Sequence, residues 1–280
     1  MNKQIALDPF QNVVASGIAI NDLNKLLGSV LEKMVFTMGG TSFTRSNVTL
    51  IQLKANGKVI FETTGAAIDA RMTYNGHSSD STIFSLDFMD RRAITANARQ
   101  AGTLDLSAKS GITSLRLEVT TSGATAPTLV GVADVSPPTE DPAESQIRWL
   151  MSRSHRATQV IGAAGTFALN IPHIDPAGGG SNYRRVYIFS SNLTGIKSMR
   201  EGVTEHELTK LQNEACQKDN FKVPQTGMVV FDPVQDGQLQ GRTWDTRPSS
   251  GVRSAQFYGT FSAGETITIE TDELIPFSAY

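Results

Sequence analysis

Cysteine is almost missing from this chain of 280 residues; Cys216 is the only one. A single thiol excludes an intrachain disulfide framework and fits synthesis in a reducing cytosol. Histidine is scarce too, with four residues, His77, His155, His173 and His206, and no His-x-His pair. A cupin-type metal enzyme wants clustered imidazoles on adjacent strands. The expectation is therefore no catalytic residue, no metal and no cofactor. An excess of either charge is also lacking: the formal net charge is -2, so no global field recruits nucleic acid. No run approaches the roughly 18 consecutive apolar residues of a membrane-spanning helix. Met1-Asn2-Lys3-Gln4-Ile5 opens without the apolar core of a secretion signal.

What the chain does have is repetition. Adding 145 to the numbers of Asn47–Asp90 gives Asn192–Gln235, and Asn47, Thr49, Ile51, Gly57 and Asp87 land on Asn192, Thr194, Ile196, Gly202 and Asp232. In each copy a strand-like run ends at a turn, Asn56-Gly57 or Glu201-Gly202. A stretch with room for one or two helical turns follows, and then an apolar strand closing on Asp. An internal repeat decides architecture before any local motif does. The paired sequons Asn47-Val48-Thr49 and Asn192-Leu193-Thr194 read as repeated sequence, not as sugar acceptors.

Along the chain, residues 1–15 show no period and read as an extended arm. Strands are expected over 17–21, 34–38, 48–53, 58–62, 81–88, 115–119 and 128–135. Asp22 to Lys33 is ambiguous, because Leu23, Leu26, Leu27, Val30 and Leu31 keep helical spacing. Pro137, Pro138 and Pro142 deny ladder donors and fix φ, so a linker is placed at 137–146 between domains of 16–136 and 147–280. Later strands are expected over 166–171, 186–189, 227–232, 254–261 and 266–270. Thr204-Glu205-His206-Glu207 has the form of a capping box and predicts a helix through Cys216. Leu208, Leu211 and Ala215 would face inward, with Cys216 a small core residue. Many short strands, frequent turns and one short helix per half make an all-β sandwich or jelly-roll pattern.

Sites of chemistry are few. Gly178-Gly179-Gly180 lacks the Lys-Ser/Thr of a phosphate loop and reads as a flexible loop. His77, Ser78, Ser79 and Asp80 read as a polar loop, since triad members converge in space and not along the chain. Asp232 and Asp236 offer oxygen ligands for calcium, but a solvated strand end is the simpler reading. Arg148, Arg153 and Arg156 with Trp149 form a basic–aromatic cluster suited to phosphate, lipid headgroups or a neighbouring subunit. With Trp149 its only aromatic, it is a poor sequence-specific nucleic-acid site.

Asn47–Phe61 with its Asn-Gly turn, Ile112–Val119 followed by Ala126-Pro127, Trp149-Leu150 with nearby arginines, and Glu205–Cys216 carry a resemblance. In pattern and order, without a diagnostic motif, the chain resembles the double jelly-roll major capsid proteins of membrane-containing, corticovirus-like bacteriophages. The resemblance implies two tandem eight-stranded jelly rolls with one short helix inserted in each. It further implies a homotrimer of pseudo-hexameric outline that tiles an icosahedral virion capsid over an internal membrane. Its partners would be further copies of itself, a vertex (penton) protein, and the internal membrane or proteins in it. Residues 1–15 and the Arg148, Trp149, Arg153, Arg156 cluster would then be assembly or membrane-facing contacts. The competing reading is a carbohydrate-binding or adhesive β-sandwich protein, with Trp149, Trp244 or Tyr258 stacking on sugars.

Overall fold

The computed structural model describes residues 3–77, 80–90, 92–138, 150–239 and 242–276. The chain divides into two compact units. The first comprises Met1–Met72, His77–Ser154 and Ile275–Tyr280; the second comprises Thr73–Gly76 and His155–Leu274.

In the first unit, β1 (Lys3–Ala6), β9 (Thr128–Ser136), β3 (Val30–Gly39) and β6 (Ile83–Asp87) lie side by side in that order, with β7 (Leu104–Asp105) beside β3. The facing sheet runs β2 (Gly17–Asp22), β8 (Leu115–Thr121), β4 (Val48–Ala55), β5 (Lys58–Thr63). Every pairing is antiparallel. Period-2 alternation explains the layering: in β8, Leu115, Leu117 and Val119 are buried while Arg116 is exposed. Ile51, Leu53, Leu117 and Val119 share a core with Met34, Phe36, Phe84 and Leu86. Phe36 and Phe84 stack at 4.8 Å between ring centroids. Each such side chain contributes about 1.5–3 kcal/mol by leaving water. Helices α1 (Gly65–Tyr74) and α2 (Ala96–Gln100) precede and follow β6.

The second unit repeats the topology. β19 (Glu265–Pro276) lies between β11 (Arg156–Ile161) and β13 (Asn182–Phe189), and β13 also pairs with β16 (Met228–Phe231) and β17 (Trp244–Asp245). Its other sheet runs β12 (Gly165–Ala168), β18 (Ala255–Phe261), β14 (Leu193–Arg200), β15 (Val203–Thr209). The core here is aromatic, with Phe231, Trp244 and Phe257 mutually edge-on at 5.2–5.8 Å. Strand order, antiparallel pairing and sheet number make the chain a double jelly roll.

The repeat holds residue by residue. The shift of 145 carries β4 onto β14, the start of β5 onto the start of β15, α1 onto α3 (Lys210–Asp219), and Ile83 onto Met228. From β7 onward the shift is 140, carrying β7 onto β17 and β8 onto β18. Bulges recur in place: between Leu53 and Lys54 and between Ser198 and Met199, and again between Val48 and Leu50 and between Leu193 and Gly195. A bulge that survives in both copies is a feature that bends the strand, not a defect. The hairpin turns match as well, with positive φ at both central residues: Asn56 50° and Gly57 80°, Glu201 51° and Gly202 76°. These are the primed turns whose twist suits a two-residue hairpin.

Several expectations need correction. Lys3–Ala6 is no free arm, because it forms an edge strand on β9. Only Ile5 of the four reaches the core, too little to register as alternation. Asp22–Lys33 is not a helix: Asn24–Leu26 is a single 3-10 turn and β3 already begins at Val30. Thr204–Glu207 lies inside β15, where pairing with β14 overrides the local capping signal. The capping box is five residues later: Thr209 accepts from the Gln212 N–H while Gln212 accepts from the Thr209 N–H at 2.9 Å. Helix α3 buries Asn213 and Gln217 and exposes Leu211 and Cys216. The amides of Asn213 and Gln217 both donate to the Val230 carbonyl, at 2.8 and 2.6 Å. A polar buried face is the reverse of what hydropathy spacing predicts. Residues 150–154, expected in the second domain, belong to the first unit, where Ser152 donates to the Gly102 carbonyl and Glu62 to the Ser154 carbonyl. The linker lies outside the described residues from position 139 onward.

Candidate functional site

The two units differ in how their matching sheets are finished on the side away from the core. In the first unit that side is open. The residues alternating with the core positions are Val130, Val132 and Asp134 on β9, and Lys33, Val35 and Thr37 on β3. Register sets Val35 beside Val132, Thr37 beside Val130 and Lys33 beside Asp134. Together with Gln4, Ala6 and Leu7 they line a shallow groove of about 590 Å³. Val130 is 63% exposed and Val132 39%. One edge is charged, where Lys33 meets Asp87 at 3.1 Å. Gly131 is required beneath the groove, since a Cβ there would come within 2.8 Å of both Leu7 and Phe36. An uncovered β-branched patch flanked by charge is the form of a protein-interaction surface.

In the second unit the corresponding side carries Arg185, Tyr187, Glu270 and Asp272, all buried. Arg184 grips Asp272 through Nε and Nη2 at 3.1 and 2.8 Å, and Arg185 Nε donates to Asp232 Oδ2 at 2.9 Å. Tyr74 donates its hydroxyl to the same Asp232 oxygen at 3.0 Å. Burial first, and then the Asp232 charge, hold the Tyr74 phenol well above its ordinary pKa, so it stays a donor. Such a layer fixes geometry through charge-assisted bonds, and its desolvation penalty leaves little net stability.

The expected site residues fall in different places. Arg148 and Trp149 lie outside the described residues. Arg153 ends β10 (Leu150–Arg153) and is half-buried. Arg156 sits on β11 with Nε 3.9 Å from the buried Glu270, so it belongs to the edge of the buried ionic layer. Asp232 is no solvated strand end, because its side chain is fully buried against Arg185. The glycine run is fitted at its last position, where a Cβ on Gly180 would stand 2.3 Å from the Thr246 carbonyl oxygen, and has open space at Gly178 and Gly179. Trp244 offers no sugar platform, being 2% exposed with Nε1 donating to Glu205 at 2.9 Å. His155 and His173 pack at 4.5 Å, and His173 Nδ1 lies 3.4 Å from Glu273. Among the described residues no group of three or more His, Cys, Asp or Glu is placed to hold a metal. No helix among them is long and apolar enough to cross a membrane.

Sequence reasoning missed the open sheet face. Its signal was present in Thr128–Ser136, where both sets of alternating positions carry apolar residues: Val130 and Val132 on one side, Leu129, Ala133 and Val135 on the other.

A search of the curated proteins finds no match. Among solved structures the chain is similar to the major capsid protein P2 of bacteriophage PM2, at 14% identity and a TM-score of 0.77, covering 98% of this chain and 97% of that one. It is similar also to the STIV major capsid protein (11% identity, TM-score 0.70, 99% and 97% covered) and to the PBCV-1 virus capsid (10% identity, TM-score 0.61, 98% and 93% covered). These likenesses carry the fold. Family models match both halves: the N-terminal domain of viral coat protein P2 over residues 4–136, and its C-terminal domain over residues 151–275. A duplicated jelly roll, an uncovered sheet face and two family matches in chain order lead to one conclusion: the chain belongs to the viral coat protein P2 family, and is a structural protein of the virion capsid and not an enzyme.

Proposed function

We propose that the chain is the subunit of a pseudo-hexameric homotrimer that tiles an icosahedral shell over an internal membrane. The observation that supports this reading is the duplication itself. Two barrels of one topology in one chain let three chains present six similar barrels, so a threefold unit occupies a sixfold position. A shell closed from such tiles still needs fivefold positions, which a trimer of paired barrels does not fill. That gap supports a separate vertex protein as partner. In this reading Arg148, Trp149 and Arg153 contribute contacts to neighbours or to the membrane surface. Light scattering after size exclusion tests the core of it: the 30.2 kDa chain should run at 3 × 30.2 = 90.6 kDa or larger. A monomer at high concentration would overturn it.

A further inference from the structure

Strand β5 is the last of its sheet, yet its outer edge is occupied. Within the first unit, Ser154 N–H donates to the Ile60 carbonyl at 3.0 Å, and Glu62 N–H donates to the Ser154 carbonyl at 2.9 Å. The two segments run parallel there, with Phe61 beside Ser154. Arg71 of α1 adds a bond from Nη1 to the Ser154 hydroxyl at 3.1 Å. The matching strand of the second unit, β15, is also the last of its sheet. Carried on by 145, Ile60, Phe61 and Glu62 become Glu205, His206 and Glu207. Ile60 and Phe61 are buried and Glu62 is half-buried, whereas Glu205 and Glu207 are exposed and His206 is half-buried. The helices differ in the same sense. Ala67 and Arg71 of α1 are buried, and their counterparts on α3, Gln212 and Cys216, are exposed. One edge is covered in the first barrel, and its repeat in the second is exposed.

The covering segment has a repeat of its own. Leu7 N–H donates to the Gly131 carbonyl, and Thr271 N–H donates to the His155 carbonyl. Gly131 and Thr271 correspond under the shift of 140, so Leu7 corresponds to His155 and Ala6 to Ser154. Ala6 lies on β1, the edge strand of its own sheet. Successive residues of a strand turn their backbone groups to opposite sides. Leu7 directs its N–H to β9, so the N–H and carbonyl of Ala6 face away from that sheet.

We propose that β1 of one copy adds to the edge of β15 on a second copy, with Ala6 N–H donating to the Glu205 carbonyl and Glu207 N–H donating to the Ala6 carbonyl. The inference rests on the reading that the chain forms a trimer, and it names the contact. Strand addition to an open sheet edge supplies main-chain bonds, and an edge left open invites uncontrolled pairing. The same joint is then made twice, once within each copy through Ser154 and once between copies through Ala6. Strand and edge lie at different places on one chain, so the contact is head-to-tail and saturates in a closed ring.

The test uses the full chain. Ala6→Pro removes the outward N–H, and an edge strand tolerates proline on that side. Glu207→Pro does the same on the receiving edge. Each variant should keep a cooperative thermal melt. Its assembled fraction at a fixed concentration should fall about tenfold or more by light scattering. A second measurement leaves both backbones intact. Arg71 corresponds to Cys216 and Ser154 to Ala6, so the contact sets position 6 of one copy within about the reach of an arginine side chain from Cys216 on the next. Ala6→Cys treated with a short bismaleimide should give covalent species of two and three chains on denaturing gels, with peptides joined through positions 6 and 216. The unsubstituted chain, with Cys216 as its only thiol, should give none through position 6. Assembly of both proline variants like the unsubstituted chain, or an Ala6→Cys trimer whose 6–216 links are missing or confined to single chains, would overturn the contact and leave the trimer standing. A monomeric unsubstituted chain would remove both.

Discussion

Asn56 and Glu201 do one job in two places. Each is the first central residue of its hairpin turn, at φ 50° and 51°. Asn56 Oδ1 accepts from the Thr113 and Ser114 amides, and Glu201 Oε1 from the Arg253 and Ser254 amides, positions that correspond under the shift of 140. Each tie fixes its hairpin to the start of the neighbouring strand. The first acceptor is a neutral amide and the second a carboxylate. The amides of Arg253 and Ser254 hold the Glu201 carboxyl below its ordinary 4.5. A depressed pKa gives stabilisation that is present above the ordinary value and lost as pH falls through the folded one. Hydrogen-exchange protection of Arg253 and Ser254 should therefore drop below about pH 4.5, while that of Thr113 and Ser114 stays level. Equal behaviour of the two pairs would contradict the assignment.

Asp232 is the joint acceptor of Arg185 and Tyr74. Tyr74→Phe removes one donor and should lower stability by about 1–2 kcal/mol. Asp232→Ala leaves Arg185 charged and buried beside its remaining partner Asp272, and should lower it by about 3–5 kcal/mol. Denaturant titration distinguishes the two. A loss under about 0.5 kcal/mol for Asp232→Ala, the range of an ordinary surface change, would show the layer to be hydrated.

Glycines 178 and 180 are neighbours with opposite demands. Gly180 has φ 62° and the Thr246 carbonyl against it, so Gly180→Ala should cost about 2–4 kcal/mol. Gly178 has open space and no positive φ, so Gly178→Ala should stay within about 0.5 kcal/mol. Thermal melts of the pair would show whether the run is a fitted corner or a loose one.

Thr209 and Thr204 separate a true cap from an apparent one. Thr209→Ala should lower stability by about 1 kcal/mol through loss of the α3 cap. Thr204→Ala, on the exposed strand, should change it by less than about 0.5 kcal/mol. A larger effect at Thr204 would reverse the assignment.

These residues also show what was legible. The repeat was readable because Asn47, Gly57 and Asp87 sit at turns and strand ends, where backbone conformation restricts the choice of residue and both copies meet the same restriction. The helix of the second half was legible in kind but misplaced. Two threonines five apart both had a suitable partner three residues on, and only pairing with β14 decides between them. The buried side of α3 was invisible, because Asn213 and Gln217 are buried by the Val230 carbonyl they serve and not by their own hydropathy. Arg184 and Arg185 were outside the expected strand for a related reason: their ionic partners Asp272 and Asp232 come from distant strands, which no local pattern reveals. The capsid fold followed from strand order, whereas the open sheet face became visible only when the two halves were laid over each other.

The change of step from 145 to 140 falls between the start of β6 or β16 and the start of β7 or β17. There the first barrel carries five residues more than the second, yet β7 and β17, the 3-10 turns Ala108–Ser110 and Pro248–Ser250, and β8 and β18 resume in step. The chain has thus performed its own insertion experiment. Loop closure grows slowly with length, about 0.6 kcal/mol per doubling, and this joint absorbs added residues without shifting a single ladder. A foreign peptide meant to leave the barrel intact belongs in the shorter joint, between Phe231 and Trp244, where the sister barrel already tolerates the extra length.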